Sequence, residues 1–195
     1  MILMLDINPV FKSALDTLEN SSKNLFITGK AGTGKSTLLS FFISQTRKKA
    51  VVLAPTGVAA LNVGGMTIHS FFGFKPGITV QEAKQIASKA AKDELWKQID
   101  LIIIDEISMV RADLLDCVDI FLRTVRKKKA PFGGFQMVFI GDLYQLSPVV
   151  TSADREHFGQ LYDSPYFFAS QVMTQSIFEM EIFELEKIYR QHDPL

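Results

Sequence analysis

Residues 29–36 read Gly29-Lys30-Ala31-Gly32-Thr33-Gly34-Lys35-Ser36 and fit the spacing G-x-x-x-x-G-K-[ST], the pattern of a phosphate-binding loop. Such a loop works only between a buried strand and the first turn of a helix, so it limits the fold more narrowly than any other stretch of the chain. Leu25, Phe26, Ile27 and Thr28 supply the apolar, β-branched run before it, and residues 35–47 supply a run of helix formers after it. Gly29, Gly32 and Gly34 let the backbone curve closely around a ligand. The loop N–H groups and the helix N-terminus then converge on one point and favour an anion there. Lys35 is placed to meet the β- and γ-phosphates of a nucleoside triphosphate, and the Ser36 hydroxyl to ligate Mg²⁺.

The remainder of the chain has to supply a sheet for that loop. Its 195 residues suit one domain and its composition is globular, with 47% hydrophobic and 22% charged residues. Lys+Arg and Asp+Glu both number 21, so net charge argues neither for nor against a nucleic acid, which needs only a local basic face. Cys117 is the single cysteine. It excludes an internal disulfide, fits a reducing compartment, and reads as a small buried hydrophobe. Residues 1–5 are too short for a signal sequence and lack a basic flank. Aliphatic runs such as residues 101–104 suit strands and not a membrane span.

Strands and helices alternate. Residues 6–20 predict a helix with Asn8 as cap, Pro9 in its first position and Val10, Ala14, Leu15 and Leu18 on one face. The helix after the loop is apolar nearly all round and should be buried, with Arg47, Lys48 and Lys49 complementing its dipole. Residues 50–54 read as the second strand. Pro55, Thr56 and Gly57 break it, 58–61 begin a short helix, and Gly64-Gly65 form a hinge. Thr67, Ile68, His69, Ser70, Phe71 and Phe72 then set hydroxyls, an imidazole and two aromatics together after a strand end. That patch reads equally as core packing or as a polymer-binding edge. Residues 75–97 predict a solvated helical layer opened by Thr79 or Gln81, with Trp96 as a packing residue. Residues 112–126 form an amphipathic helix carrying Leu114, Leu115, Val118, Phe121, Leu122 and Val125. The run 126–129 reads as its solvated, dipole-matched end, with a phosphate-backbone contact as the alternative. Residues 131–134 make a turn and 136–140 a strand. Residues 151–164 read as a surface loop with a short helix, 169–176 as a helix and 178–185 as a strand. His157 and His192 have no metal-ligand spacing around them and read as surface residues.

The chemistry gathers at strand ends. Residues 101–104, Leu101-Ile102-Ile103-Ile104, run straight into Asp105-Glu106. Two carboxylates ending a wholly apolar strand need an external partner, and beside a phosphate loop that partner is Mg²⁺. Asp105 would hold the metal, and Glu106 would take a proton from attacking water. After 136–140, Gly141-Asp142 leads to Gln145, whose amide both donates and accepts and so can register a γ-phosphate. The whole predicts an α/β fold of the P-loop NTPase (RecA-like) type, with a mainly parallel β-sheet flanked by helices.

Read together, these blocks resemble those of the PIF-type (petite integration frequency) DNA helicases of superfamily one, over nearly the whole chain. Residues 29–37, Gly29 to Thr37, resemble their Walker A block. Residues 54–60 and 64–72 resemble motif Ia, 104–109 motif II, 114–134 the signature before motif III, 141–146 motif III, and 184–191 motif IV. The resemblance implies an ATP-driven motor that moves 5′ to 3′ on single-stranded DNA and unwinds duplexes at junctions, in the settings of DNA repair, recombination and telomere maintenance. It implies nucleotide contacts from Gly29, Lys30, Ala31, Gly32, Thr33, Gly34, Lys35, Ser36 and Thr37, with Mg²⁺ on Ser36 and Asp105. Glu106, Lys35, Gln145 and Arg190 would be the catalytic set, Gln145 and Arg190 touching the γ-phosphate. Pro55, Thr56, Gly65, Thr67, His69 and Phe72 would line the DNA track. Such motors act in the cytoplasm at the nucleoid in a bacterium, and in the nucleus or mitochondrion in a eukaryote.

The pattern also departs from the family. Phe11 stands where a glutamine usually reads adenine, and Ser147 where a proline is usual. The sequence stops shortly after Tyr189-Arg190-Gln191, and on the resemblance it reads as the first of two motor domains, 1–195, with the second absent. A stand-alone nucleotide-binding regulatory module acting through a partner is the alternative. A small-molecule kinase fits less well, because kinases on this fold usually lack both the paired Asp105-Glu106 and the Gly141-Asp142…Gln145 block.

Overall fold

The computed structural model describes residues 9–152 and 154–187. In chain order the elements are α1 (Pro9–Asn20), β1 (Asn24–Thr28), α2 (Lys35–Gln45), β2 (Ala50–Ala54), α3 (Gly57–Asn62), β3 (Met66–Thr67), α4 (Ile68–Phe72), α5 (Val80–Ala90), α6 (Leu95–Gln98), β4 (Leu101–Ile104), α7 (Ala112–Arg126), β5 (Gln136–Ile140), α8 (Arg155–Leu161) and β6 (Met180–Glu184). The strands form one sheet in the order β3-β2-β4-β5-β1-β6, and every neighbouring pair is parallel. Ile27 pairs with Ile140, Phe139 with Ile104, and Leu53 with Ile104. All six strands therefore point their carboxyl ends to one edge, where ligands of open parallel sheets bind.

Alternation along each strand divides the core into two layers. Leu25, Ile27, Leu101, Ile103, Val138 and Ile140 face Phe11, Ala14, Leu18, Leu38, Leu39 and Phe42 of α1 and α2. Phe26, Ile102, Ile104, Met137 and Phe139 face the helices on the other side, among them Ala83, Ala87, Leu115, Val118, Phe121 and Leu122 of α5 and α7. Both faces of the sheet are thus covered, which is why β4 and β5 read as unbroken apolar runs. Thr79 opens α5 through a reciprocal capping box with Glu82, and Trp96 packs inside while its indole N–H donates to the Ala90 carbonyl at 3.1 Å. Cys117 is buried and its thiol is pushed up to about 12, chiefly by that burial, so it is a packing residue.

Several expectations change. The buried face of α1 is Phe11, Ala14 and Leu18, while Val10 points outward, so Phe11 fills the core. Only one face of α2 is buried, and Ile43 is exposed. Lys48 does not serve the dipole of α2. Its Nζ donates to the Leu18 and Ser21 carbonyls at the end of α1 and to Gln136 Oε1, at 2.5, 2.6 and 2.8 Å. Arg126 donates to the Trp96 and Ile99 carbonyls and lies 3.8 Å from the Phe135 ring centroid, so it ties α7 to α6 instead of reaching into solvent. After a 3₁₀ turn that ends at Ala169, residues 170–176 are turns and bends and not an α-helix. The Asp116 carboxylate accepts the Gln171 and Val172 N–H groups at 2.9 Å each, and a side chain that takes those donors competes with a helical ladder. Thr67 belongs to an edge strand of two residues, too short to announce itself in sequence. Residues 188–195, with Arg190 and His192, and the His157 side chain lie outside the described residues.

Candidate nucleotide site and neighbouring strand ends

The phosphate loop leaves β1 at the sheet's carboxyl edge. A side chain at Gly29 would meet the Leu185 carbonyl oxygen at 2.4 Å and Thr33 Oγ1 at 2.7 Å, so only glycine fits where the loop turns under β6. Leu185 closes that contact by donating its N–H to the Thr28 carbonyl at 2.8 Å. Thr33 is buried, and its hydroxyl donates to the Lys30 carbonyl at 2.8 Å, holding the loop's curve from inside. Gly34, left-handed at φ 92°, is the N-cap of α2, and no side chain caps that end. The first N–H groups of α2 thus open toward the site without an internal acceptor. Lys35 Nζ donates to the Gly29 carbonyl at 2.6 Å and the Lys30 carbonyl at 3.2 Å, so the ammonium stands at the mouth of the loop. Lys30, Ala31, Gly32, Ser36 and Thr37 are exposed on the same rim.

Asp105 ends β4 two strands away from β1, with β5 between. Its N–H donates to the Leu53 carbonyl at 2.8 Å, and only 7% of the residue is exposed. Burial pushes its carboxyl up to about 6. The Glu106 N–H lowers it, the Glu106 charge raises it, and the nearby charge of Lys35 lowers it. This is a buried carboxylate that feels the charge of the loop lysine and is destabilised as an anion, the chemistry that a bound cation would relieve. Glu106 is half-buried and adopts φ 51°, ψ 42°, a conformation rare for a residue with a side chain. Among the described residues no group of three or more His, Cys, Asp or Glu side chains could hold a metal ion by itself. A divalent ion here would be shared between the Ser36 hydroxyl, Asp105 and oxygens of a bound phosphate, which suits Mg²⁺, a metal that keeps water and substrate oxygens in its shell.

Gln145 is exposed on the loop after β5, and its side-chain amide donates to Asp142 Oδ2 at 3.1 Å. That loop is anchored where it begins, because the Gly141 N–H donates to the Ile27 carbonyl at 3.2 Å. Loop, carboxylates and Gln145 therefore lie along one edge, on the three adjacent strands β1, β5 and β4.

The motif beyond β2 and β3 divides. Thr56 caps α3 by accepting the Ala59 N–H, and Thr67 caps α4 by accepting the Ser70 N–H. Pro55 and His69 are half-buried beside them, and burial lowers the imidazole's affinity for a proton. A side chain at Gly65 would stand 2.3 Å from the Val52 carbonyl oxygen, so its glycine serves close packing on β2. Phe72 is not at the surface. It is 2% exposed, with its ring centroid 4.9 Å from that of Phe121, 5.0 Å from that of Phe71 and 5.2 Å from that of Phe74. For Phe72 core packing prevails over the polymer-binding edge.

The sequence assigned no separate part to Ser108, Asp116 or Asp119. The two aspartates sit on the apolar side of α7, both 7% exposed. Asp119 accepts the Phe132 N–H at 2.6 Å and pairs with Arg123 at 2.7 Å. That anchors the 131–134 turn, where a side chain at Gly133 would strike the Leu122 carbonyl oxygen at 2.4 Å. Carboxylates inside an apolar helical stripe were the available signal.

A glycine loop between β1 and α2, with acidic and amide side chains on the next two strand ends, defines a P-loop nucleotide-binding domain of the RecA-like kind. A sequence profile described as PIF1-like helicase matches residues 3–194, and the chain belongs to that family. It is 38% identical over 183 residues to the ATP-dependent DNA helicase PIF1 of Saccharomyces cerevisiae, covering 89% of this chain and 20% of the relative. It is 39% identical over 180 residues to the protein of that name from Candida albicans, covering 88% and 19%. The crystal structure of Bacteroides Pif1 bound to single-stranded DNA superposes with a TM-score of 0.84 at 38% identity, over 97% of this chain and 44% of that one. The chain thus spans about a fifth of the length of these curated relatives.

Proposed function

We propose that residues 1–195 form the first motor domain of an ATP-driven DNA helicase, whose second motor domain closes the nucleotide cleft from the opposite side. The observation that carries this reading is the alignment of Lys35, Asp105-Glu106 and Gln145 on adjacent strand ends, within a family whose relatives are named ATP-dependent DNA helicases. Lys35 would leave the Gly29 and Lys30 carbonyls and meet the β- and γ-phosphates, with the open N–H groups of the loop and of α2 holding the same oxygens. Ser36 and Asp105 would hold Mg²⁺, which when bound neutralises charge on the phosphates. Glu106 would orient the attacking water and accept its proton. Gln145 would contact the γ-phosphate and release it on hydrolysis, and Arg190 would stabilise charge in the transition state. Pro55, Thr56, Gly65, Thr67 and His69 would present backbone and polar groups to single-stranded DNA, a mode that tolerates many sequences, while Phe72 supports α4 from behind. Phe11, being part of the core, leaves adenine reading to other groups.

The test is Glu106→Gln in the full-length protein. It should keep nucleotide binding and lose about 10²-fold or more in turnover, the usual worth of a general base. Persistent turnover would remove Glu106 from that role. Lys35→Ala should instead weaken nucleotide binding itself.

A further inference from the structure

Between the carboxylate loop after β4 and the Gln145 loop after β5 the backbones nearly touch. Gly141 has no left-handed backbone to explain its glycine. Its surroundings are close, since a side chain there would lie 3.0 Å from Ile107 Cγ2 and 3.2 Å from the backbone nitrogens of Ile107 and Ser108 and would press the two loops apart by a few tenths of an ångström. On its other side Gly141 donates to Ile27, two residues before the phosphate loop. Ser108 stands where these two loops meet beside the end of β1. It is wholly buried, and its Oγ has no hydrogen-bond partner among the described residues. An orphaned hydroxyl in a closed interior costs stability, and alanine of nearly the same shape would not carry that cost. Serine here therefore weakens the resting arrangement without a visible return. Just before it, Glu106 is held in a left-handed conformation, its carbonyl accepting the Met109 N–H at 3.1 Å. Non-glycine residues hold such backbone only where their surroundings fix it.

We infer that Ser108 is a positioning residue for hydrolysis: its hydroxyl gains its hydrogen bond when the Gly141–Gln145 loop shifts as nucleotide binds, and so locks the Gln145 loop against the Glu106 loop. This rests on the function proposed above. The resting state leaves Ser108 unsatisfied and the nucleotide-bound state satisfies it, so the hydroxyl favours the bound arrangement.

The experiment is Ser108→Ala in the full-length protein, with Ser108→Cys as a similar-sized variant that keeps a weak donor. Thermal melting with and without the magnesium–nucleotide complex is read beside steady-state turnover. Ser108→Ala should melt at a higher temperature than the wild type without nucleotide and gain less on adding it. Its kcat/KM should fall about tenfold, the worth of one hydrogen bond that the nucleotide-bound enzyme makes and the free enzyme lacks. Ser108→Cys should recover part of that loss. If Ser108→Ala melts higher yet turns over like the wild type, the hydroxyl is only a packing defect and the inference is overturned. A wild-type protein with no nucleotide turnover would instead overturn the proposed function.

Discussion

At the scale of single residues the site is a balance of desolvated charge. Asp105 holds its proton more tightly in the folded chain than when unfolded, because burial raises its carboxyl from 3.8 to about 6. The folded state therefore binds the extra proton, and the resulting stability is present below about pH 4 and lost as pH rises through about 6. Asp105→Asn removes that loss. We predict a gain in unfolding free energy of up to about 3 kcal/mol at pH 8, shrinking toward zero near pH 4, measured by urea denaturation without nucleotide. The same variant should lose magnesium-dependent turnover. A stability gain independent of pH would mean that Asp105 is not the strained carboxylate. On the proposed function, that cost at the buried end of β4 would be the counterpart of a metal-holding role, as it commonly is for strained sites in native proteins.

Among elements, the joints matter more than the strands. Lys48 gathers the end of α1 and the start of β5 through three acceptors, and Lys48→Met would leave buried acceptors unpaired. A loss of about 1–3 kcal/mol by chemical denaturation is expected. Phe72→Ala should cost about 3–5 kcal/mol through the cavity it opens among Phe71, Phe74, Trp96 and Phe121. A neutral effect would return Phe72 to the surface. These joints also mark where sequence stopped being legible. β2, β4, β5 and α7 could be read from apolar runs and three-and-four spacing because both faces of the sheet are covered. The phosphate loop and the acidic pair were legible because their chemistry fixes residue types at fixed spacing. Lys48 acts through partners far away in sequence, so no local pattern announces it, and Asp116 and Asp119 show only as carboxylates in an apolar stripe, without a hint of which backbone groups they hold. Phe72 was ambiguous because Thr67 and His69 beside it are polar and only half-buried.

For the whole molecule, one sheet edge collects the phosphate loop, the carboxylates, Gln145 and the polar residues after β2 and β3. With relatives about five times longer, this domain would supply one wall of a cleft. We predict that the 195-residue chain alone binds magnesium–nucleotide weakly and hydrolyses it poorly, as read by isothermal titration and phosphate release. Brisk, DNA-stimulated turnover by that chain as a monomer would refute the need for a second wall. On the proposed function, nucleotide hydrolysis at this edge is coupled to single-stranded DNA, and the direct measurement is the ATPase rate of the full-length protein with and without a single-stranded oligonucleotide. The rate should rise by an order of magnitude or more with DNA and vanish in Glu106→Gln, whereas a rate indifferent to DNA would contradict the motor.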